Sequence, residues 1–191
     1  MEIDSPKLQQ IYETAKSMFM RYGFKRVSIE EICREASVSK MTFYKFFSNK
    51  FDLLKFILEK ITADSFAEYR EILAQDVPYA EKVRQMIQMK MKYSDDISQD
   101  FFNDLYRNSE PELVAYWQQK TQEMMQLVLE DLKTAQAQGD VRAEIKPEFI
   151  FYFLNHIFEM VKDDRLIQLY DSPQALINEL TRFFFYGILP R

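Results

Sequence analysis

Cysteine, histidine and glycine are scarce in this sequence, and each scarcity excludes a kind of site. The one cysteine, Cys33, allows no internal disulfide and no paired-cysteine zinc or redox site. The one histidine, His156, leaves too few ligands for the usual histidine metal sites and catalytic triads. Only three glycines occur, at 23, 139 and 187, so the sequence has neither a dinucleotide fingerprint nor a phosphate-binding loop. We therefore expect no metal, no cofactor and no catalytic site.

Long apolar runs are also missing. No stretch of about 18 apolar residues, the length that would span a bilayer, occurs anywhere in the sequence. The first ten residues contain acids and a proline, where a secretion signal needs a basic start and an apolar stretch. Because 47% of the residues are hydrophobic, the chain can still bury a substantial core. We expect a cytoplasmic protein without membrane contact.

The net charge of −5 is distributed unevenly along the chain. Residues 1–50 carry nine Lys or Arg and six Asp or Glu, whereas residues 51–191 carry sixteen and twenty-four. The stretch 37–50 holds three lysines and no acid. Nucleic acid is bound through a local basic patch, and an acidic body is repelled by phosphate. Any DNA contact is therefore predicted in the N-terminal 50 residues.

Apolar residues recur about every 3.6 residues, without strand-like alternation, which predicts an all-α fold. A first helix is expected between Ser5 and Gly23, with a proline at its start and the glycine at its end. Ser28 begins a capping box and a short second helix, and Ser39 can cap a third after a three-residue turn. Helix, short turn and helix is the arrangement that places the second helix of the pair in a major groove of DNA.

The rest of the chain is predicted to be helical as well. Asn49 can cap a fourth helix reaching about residue 74, and further helices are expected at about 78–94, 97–107, 109–137, 147–169 and 173–187. We divide the chain into a DNA-binding domain of residues 1–50 and a helical ligand-binding and dimerisation domain of residues 51–191.

The segment from Ala15 to Leu54 resembles the DNA-binding domain of the TetR/AcrR family of bacterial regulators. The positions that carry this resemblance are Ala15, Phe19, Gly23, Ser28, Ile32, Ala36, Val38 to Phe47, and Lys50. The resemblance implies a three-helix helix-turn-helix domain on a larger helical body, which binds a small-molecule effector and forms a homodimer through its last two helices. It also implies binding to double-stranded DNA at an inverted-repeat operator.

Two positions depart from the family pattern. Members commonly have glycine where Ser37 stands in the turn and where Met41 stands in the third helix. In the family the position of Met41 lies close to the bases, where glycine lets the backbone approach the DNA. We expect Met41 either to contact a thymine methyl group or base edge, or to hold the helix slightly farther from the DNA.

Eight side chains form the predicted DNA-binding surface. Four of them are assigned to phosphate, because they lie at helix N-termini or carry a hydroxyl group: Ser28, Ser39, Tyr44 and Lys50. Four are assigned to base edges: Lys40, Met41, Thr42 and Lys45. Lys45 can also clamp the DNA backbone. The alternatives are an ordinary solvated face for the lysines and a half-buried position for Tyr44.

Two groups of residues in the body are candidates for ligand contact. The first comprises adaptable methionines and aromatic residues, namely Met86, Tyr93, Phe101, Tyr106, Trp117 and Met124. The second is a polar stripe on an otherwise apolar helix, namely Tyr152, Asn155, His156 and Glu159. Simple core packing is the alternative for the first group, and solvent exposure or a dimer contact for the second.

These features support a repressor that a small, largely apolar ligand releases from its operator. A carboxylate near such a ligand would favour a positive charge on it. The first alternative is a DNA-binding regulator controlled by a protein partner or by no effector. The second is a helical enzyme or carrier without a DNA role, which the absent motifs and the acid-free stretch 37–50 disfavour.

Overall fold

A computed structural model describes residues 5–94, 97–106 and 111–190, including all of their side chains except those of Ser94, Tyr106 and Phe158. In these ranges the chain forms ten α-helices and no strand, which confirms the all-α prediction. The helices are α1 (Pro6–Tyr22), α2 (Ile29–Glu35), α3 (Lys40–Tyr44), α4 (Lys50–Ala74), α5 (Tyr79–Ser94), α6 (Gln99–Tyr106), α7 (Pro111–Ala137), α8 (Pro147–Met160), α9 (Asp164–Ile167) and α10 (Pro173–Ile188). None of these helices is both long and apolar enough to cross a membrane.

The chain divides into two compact units. The first consists of Met1–Glu68 with Asp96–Asp104, and the second of Tyr69–Asp95 with Leu105–Arg191. This division falls within α4, not at the predicted boundary between residues 50 and 51. The reason is that the first half of α4 supplies core residues such as Leu53, Leu54 and Ile57 that are fully buried.

The helix ends of the first unit follow the sequence signals. Gly23 ends α1 at φ +84° and its amide donates to the Phe19 carbonyl at 2.9 Å. The Ser28 hydroxyl and the Glu31 carboxylate form the reciprocal capping box at the start of α2. The Asn49 Oδ1 accepts from the Asp52 amide at 2.9 Å at the start of α4. These local signals therefore determine where the helices of the first unit begin and end.

Part of α6 packs into the first unit, which the sequence did not indicate. The Ser98 amide donates to the Met20 carbonyl at 2.9 Å, and the Asp104 carboxylate accepts from the Lys25 amide at 3.0 Å. Phe101, a predicted ligand contact, is 1% exposed and belongs to this unit. These tertiary bonds anchor the end of α1 and the loop that follows it.

In the second unit, an apolar cluster joins residues of α5, α7, α8 and α10. Its buried members include Val83, Leu132, Ile150, Phe184 and Ile188. The amphipathic stripes of these helices therefore meet in a common interior.

The helix predicted at 147–169 is divided in two, which corrects the sequence prediction. Helix α8 ends at Met160, and Asp163 caps the separate short helix α9 by accepting from the Arg165 amide at 2.9 Å. An aspartate at a cap position offers the backbone an alternative to continuing the helix.

Candidate functional sites

The turn between α2 and α3 has an unusual backbone conformation. Ser37 adopts φ +53°, in the left-handed region that glycine enters most easily. This conformation accounts for the glycine that the related family commonly has at this position. The Val38 amide then donates to the Cys33 carbonyl at 2.9 Å, so the chain reverses tightly into α3.

Aromatic rings pack against the buried face of helix α3. Phe43 is fully buried, and its ring lies 5.8 Å from that of Phe47. The Phe47 ring lies 5.5 Å from Phe56 of α4, which in turn meets Tyr12 of α1 edge-on at 5.8 Å. The α3 aromatic residues are thus linked to α1 through the Phe56 ring. A five-residue helix therefore has a rigid support.

The opposite face of α3 is open to solvent. Met41 is 72% exposed and Tyr44 is 54% exposed, which argues against a half-buried position for Tyr44. Lys45 is exposed, and none of the described residues forms an ion pair or hydrogen bond with its ammonium. This face presents apolar, phenolic and cationic groups together, the chemistry that contacts base edges and phosphate.

The hydroxyl groups assigned to DNA contacts also have structural roles. The Ser39 hydroxyl accepts from the Thr42 amide at 3.1 Å and lies 3.0 Å from the Thr42 hydroxyl. The Ser28 hydroxyl donates to the Glu31 carboxylate at 2.7 Å. These hydroxyls already take part in helix caps. Their contact with DNA would be a second role, and that contact stays a prediction.

Lys40 carries a counter-ion within the protein. Its ammonium pairs with the carboxylate of Glu30 in α2. This hydrogen bond lowers the pKa of Glu30 and raises the pKa of Lys40. Both side chains are more than half exposed, so phosphate can compete with Glu30 for the ammonium. Nothing in the sequence spacing points to Glu30, because the two residues come together only through the turn.

The ammonium of Lys50 is bonded within the protein, and its predicted phosphate contact stays a prediction. Its ammonium donates to the carbonyls of Phe24 at 2.7 Å, Val27 at 2.7 Å and Lys25 at 3.2 Å, and lies 4.5 Å from the Phe24 ring centre. Burial lowers the pKa of this ammonium, while Asp104 and Glu31 oppose the shift. Since an ammonium has three donors, the loop carbonyls use all of them. This geometry favours a role in holding the loop before α2.

We expect Lys50→Met to lower the free energy of unfolding by about 2–3 kcal/mol, because three carbonyls lose a charged donor. Lys45→Met is the matched control, and it should leave stability within about 0.5 kcal/mol. Urea unfolding followed by circular dichroism measures both variants. Equal stability of the two variants would show that Lys50 is not a structural residue.

The body contains an open cavity of about 530 Å³ between α7 and α8. Its walls are both apolar and polar, lined by Leu105, Val114, Ala115, Trp117, Gln118, Gln119, Thr121, Gln122, Met125, Asn155, Glu159 and Lys162. Three predicted ligand residues, Trp117, Asn155 and Glu159, lie in this lining. The Glu159 carboxylate accepts from Lys162 at 2.8 Å, so its charge is already compensated.

The other predicted ligand residues are dispersed. Met86 is 1% exposed in the core, whereas Tyr93 and Met124 are half-buried outside the cavity lining. Tyr152 is 61% exposed, and its ring lies 4.0 Å from that of His156, which is exposed too. The Tyr106 side chain lies outside the described residues. Of the nine candidates whose side chains are described, the structure thus gathers three at one cavity.

Comparison with solved structures shows the same fold. The fatty acid degradation regulator FadR from Bacillus halodurans matches with a TM-score of 0.73 and 18% identity, covering 100% of both chains. The regulatory protein TetR from Rhodobacter sphaeroides matches with a TM-score of 0.73 and 18% identity, covering 97% of this chain and 100% of that one. At 18% identity these likenesses show a shared fold.

The sequence comparisons specify the family. Residues 11–57 match the family described as bacterial regulatory proteins, tetR family. The uncharacterised HTH-type transcriptional regulator YhgD of Bacillus subtilis is 30% identical over 87 residues, 46% of this chain and 44% of that protein. The match thus spans under half of the relative's length. Residues 11–57 are therefore similar to the DNA-binding segment of this family, and the whole chain shares the fold of solved regulators.

Proposed function

We propose that the protein is a dimeric repressor that reads an inverted-repeat operator with one α3 helix per subunit. The observation that carries this proposal is the open face of α3 with Met41, Tyr44 and Lys45. The rigid aromatic support beneath that face favours a fixed docking geometry. Two such helices would enter successive major grooves of one operator.

The dimer contact is proposed through α8 and α10. Large apolar side chains on these helices are open to solvent, with Phe149 58%, Tyr152 61%, Phe183 70% and Tyr186 55% exposed. A groove of about 650 Å³ runs between the two helices. Exposed apolar patches of this kind mark association surfaces, and a two-fold contact would cover the same face on both subunits.

The effector is proposed to bind the cavity between α7 and α8. Its volume falls in the range of small-molecule sites, and the apolar part of its wall, with Leu105, Val114 and Trp117, would contact the apolar part of a ligand. The likeness to a fatty acid degradation regulator supports an apolar ligand class. Binding would release the operator only if the ligand prefers one of two body conformations.

The function is tested by sedimentation velocity and by gel shifts against genomic fragments. We expect a dimer at micromolar concentration and a bound inverted repeat. Lys45→Ala should reduce the salt slope by about one unit at every site, whereas Thr42→Ala should change the preference among operator variants by about 1–3 kcal/mol. A monomer, or no shifted fragment at low salt, would contradict the proposal.

A further inference from the structure

An acidic side chain, Glu30 of α2, reaches the exposed side of α3. Its carboxylate pairs with the ammonium of Lys40, the first residue of α3. The two side chains are 60% and 54% exposed, so a third group can approach both of them. An acid at a DNA-binding surface is repelled by phosphate and weakens the binding of any duplex, unless the acid itself finds a partner there. Glu30 therefore needs a partner on DNA other than phosphate.

The backbone that carries this ion pair is fixed at the start of both helices. In the first turn of α2, the Ser28 amide donates to the Glu31 carboxylate at 2.8 Å, and the Glu31 amide donates to the Ser28 hydroxyl at 3.2 Å. At the start of α3, the Thr42 amide donates to the Ser39 hydroxyl at 3.1 Å. The two helix starts are thus held by local hydrogen bonds, while both charged ends of the pair stay accessible.

Folding stability gives little reason for this ion pair. Exposed pairs of long side chains contribute little to stability, because solvent already screens both charges. Lys45 in the same segment is exposed, and its ammonium has no ion pair among the described residues. A lysine beside α3 thus needs no acid for this helix to form. The pairing of Glu30 with Lys40 is better explained by the groups that the pair would meet on DNA.

The pair presents a donor and an acceptor side by side, and a G·C base pair presents the complementary groups in the major groove. Guanine offers the acceptors N7 and O6, and cytosine offers the N4 amino group beside them. An ammonium has three donors, of which the bond to Glu30 takes one, and a carboxylate has about four acceptor sites. Lys40 and Glu30 can therefore keep their mutual bond and still bind one base pair together.

An A·T base pair fits this ion pair less well. Its amino group, adenine N6, lies between two acceptors, adenine N7 and thymine O4. A carboxylate that accepts from N6 would have an acceptor atom on both sides, and electrostatic repulsion would offset the bond. In a G·C pair the cytosine N4 group has an acceptor on one side only, and the ammonium of Lys40 covers that acceptor.

We propose that Glu30 determines specificity at the DNA-binding surface, and that Glu30 and Lys40 together read one G·C base pair in each half-site. Lys40 donates to guanine O6 or N7, and Glu30 accepts from cytosine N4. On any other base pair the carboxylate meets acceptors or phosphate and opposes binding, so Glu30 also lowers the affinity for non-specific DNA. The inference rests on the proposed function, because it requires α3 to lie in a major groove.

The test uses the full-length protein and a pool of random-sequence duplexes, from which the preferred site is selected. Fluorescence anisotropy then measures the affinity for that site and for duplexes in which each base pair of one half-site is replaced in turn. For the wild type, replacing one particular G·C pair by A·T should weaken binding about ten- to a hundredfold. Glu30→Ala should reduce that loss to less than about threefold, and it should raise the affinity for a scrambled duplex about three- to tenfold.

Glu35→Ala is the matched control, because Glu35 is an exposed acid of the same helix and has no ion pair among the described residues. This variant removes the same charge and should keep the wild-type preference at every base pair. Lys40→Met should lose discrimination at the same base pair as Glu30→Ala. An unchanged preference in Glu30→Ala, an equal change in Glu35→Ala, or effects of Glu30→Ala and Lys40→Met at different base pairs would each overturn the inference.

The same measurements separate this inference from the proposed function. If the protein binds an inverted repeat as a dimer and Glu30→Ala keeps the wild-type preference, the proposed function stands and the inference is wrong. If a monomer reads a single half-site through a G·C pair that depends on Glu30, the inference stands and the dimeric repressor is wrong. The absence of any bound duplex at low salt would contradict both.

Discussion

Gly23→Ala is expected to lower the free energy of unfolding by about 3–5 kcal/mol, from backbone strain and steric overlap together. Gly23 has φ +84° and ψ 152°, a combination nearly restricted to glycine. A Cβ atom at this position would lie 2.9 Å from Asp104 Oδ2 and 3.1 Å from Asp100 Cβ. The Asp104 carboxylate cannot move away without losing its bond to the Lys25 amide.

Gly139→Ala is the control for this substitution. Gly139 has nearly the same φ, +83°, but a Cβ atom there would meet nothing within 4 Å. Gly139→Ala should lower the free energy of unfolding by the backbone strain alone, about 1–2 kcal/mol. Urea unfolding of both variants by circular dichroism gives the comparison. If the two variants are equally destabilised, the α6 segment does not constrain the end of α1 as the structure indicates.

Phe183→Glu is expected to make the protein monomeric at micromolar concentration and to weaken operator binding at least a hundredfold. A central aromatic residue of an interface contributes about 2–4 kcal/mol, and two-fold symmetry places the substitution in both subunits. Phe183 is 70% exposed in the subunit, so its replacement should hardly change the folding of the subunit itself. Sedimentation velocity and gel shifts measure the two effects.

The control is Leu169→Glu. Leu169 is 76% exposed and lies in the turn after α9, away from the α8 and α10 groove. The Leu169→Glu variant tests whether a glutamate added anywhere on the surface of this acidic body is enough to weaken DNA binding. A dimer that persists in Phe183→Glu, or an equal loss of operator binding in both variants, would place the subunit contact on another face.

Much of the DNA-binding unit was predictable because its signals are local. The capping box at Ser28, the cap at Ser39 and the end of α1 at Gly23 all lie within a few residues of the groups they bind. The roles of the lysines were not predictable in the same way. Lys40 and Glu30 are ten residues apart, and Lys50 bonds to carbonyls more than twenty residues away.

The sequence by itself determined the helical class, the positions of most helices and the basic, exposed character of α3, because periodicity and capping act over one or two turns. Only the tertiary structure decided which lysines are bonded within the protein, which predicted ligand residues share a cavity, and that part of α6 belongs to the first unit. Those properties depend on contacts between residues far apart in the chain. The end of α8 at Met160 was only partly predictable. The sequence contains the capping residue Asp163, but the apolar pattern continues beyond it.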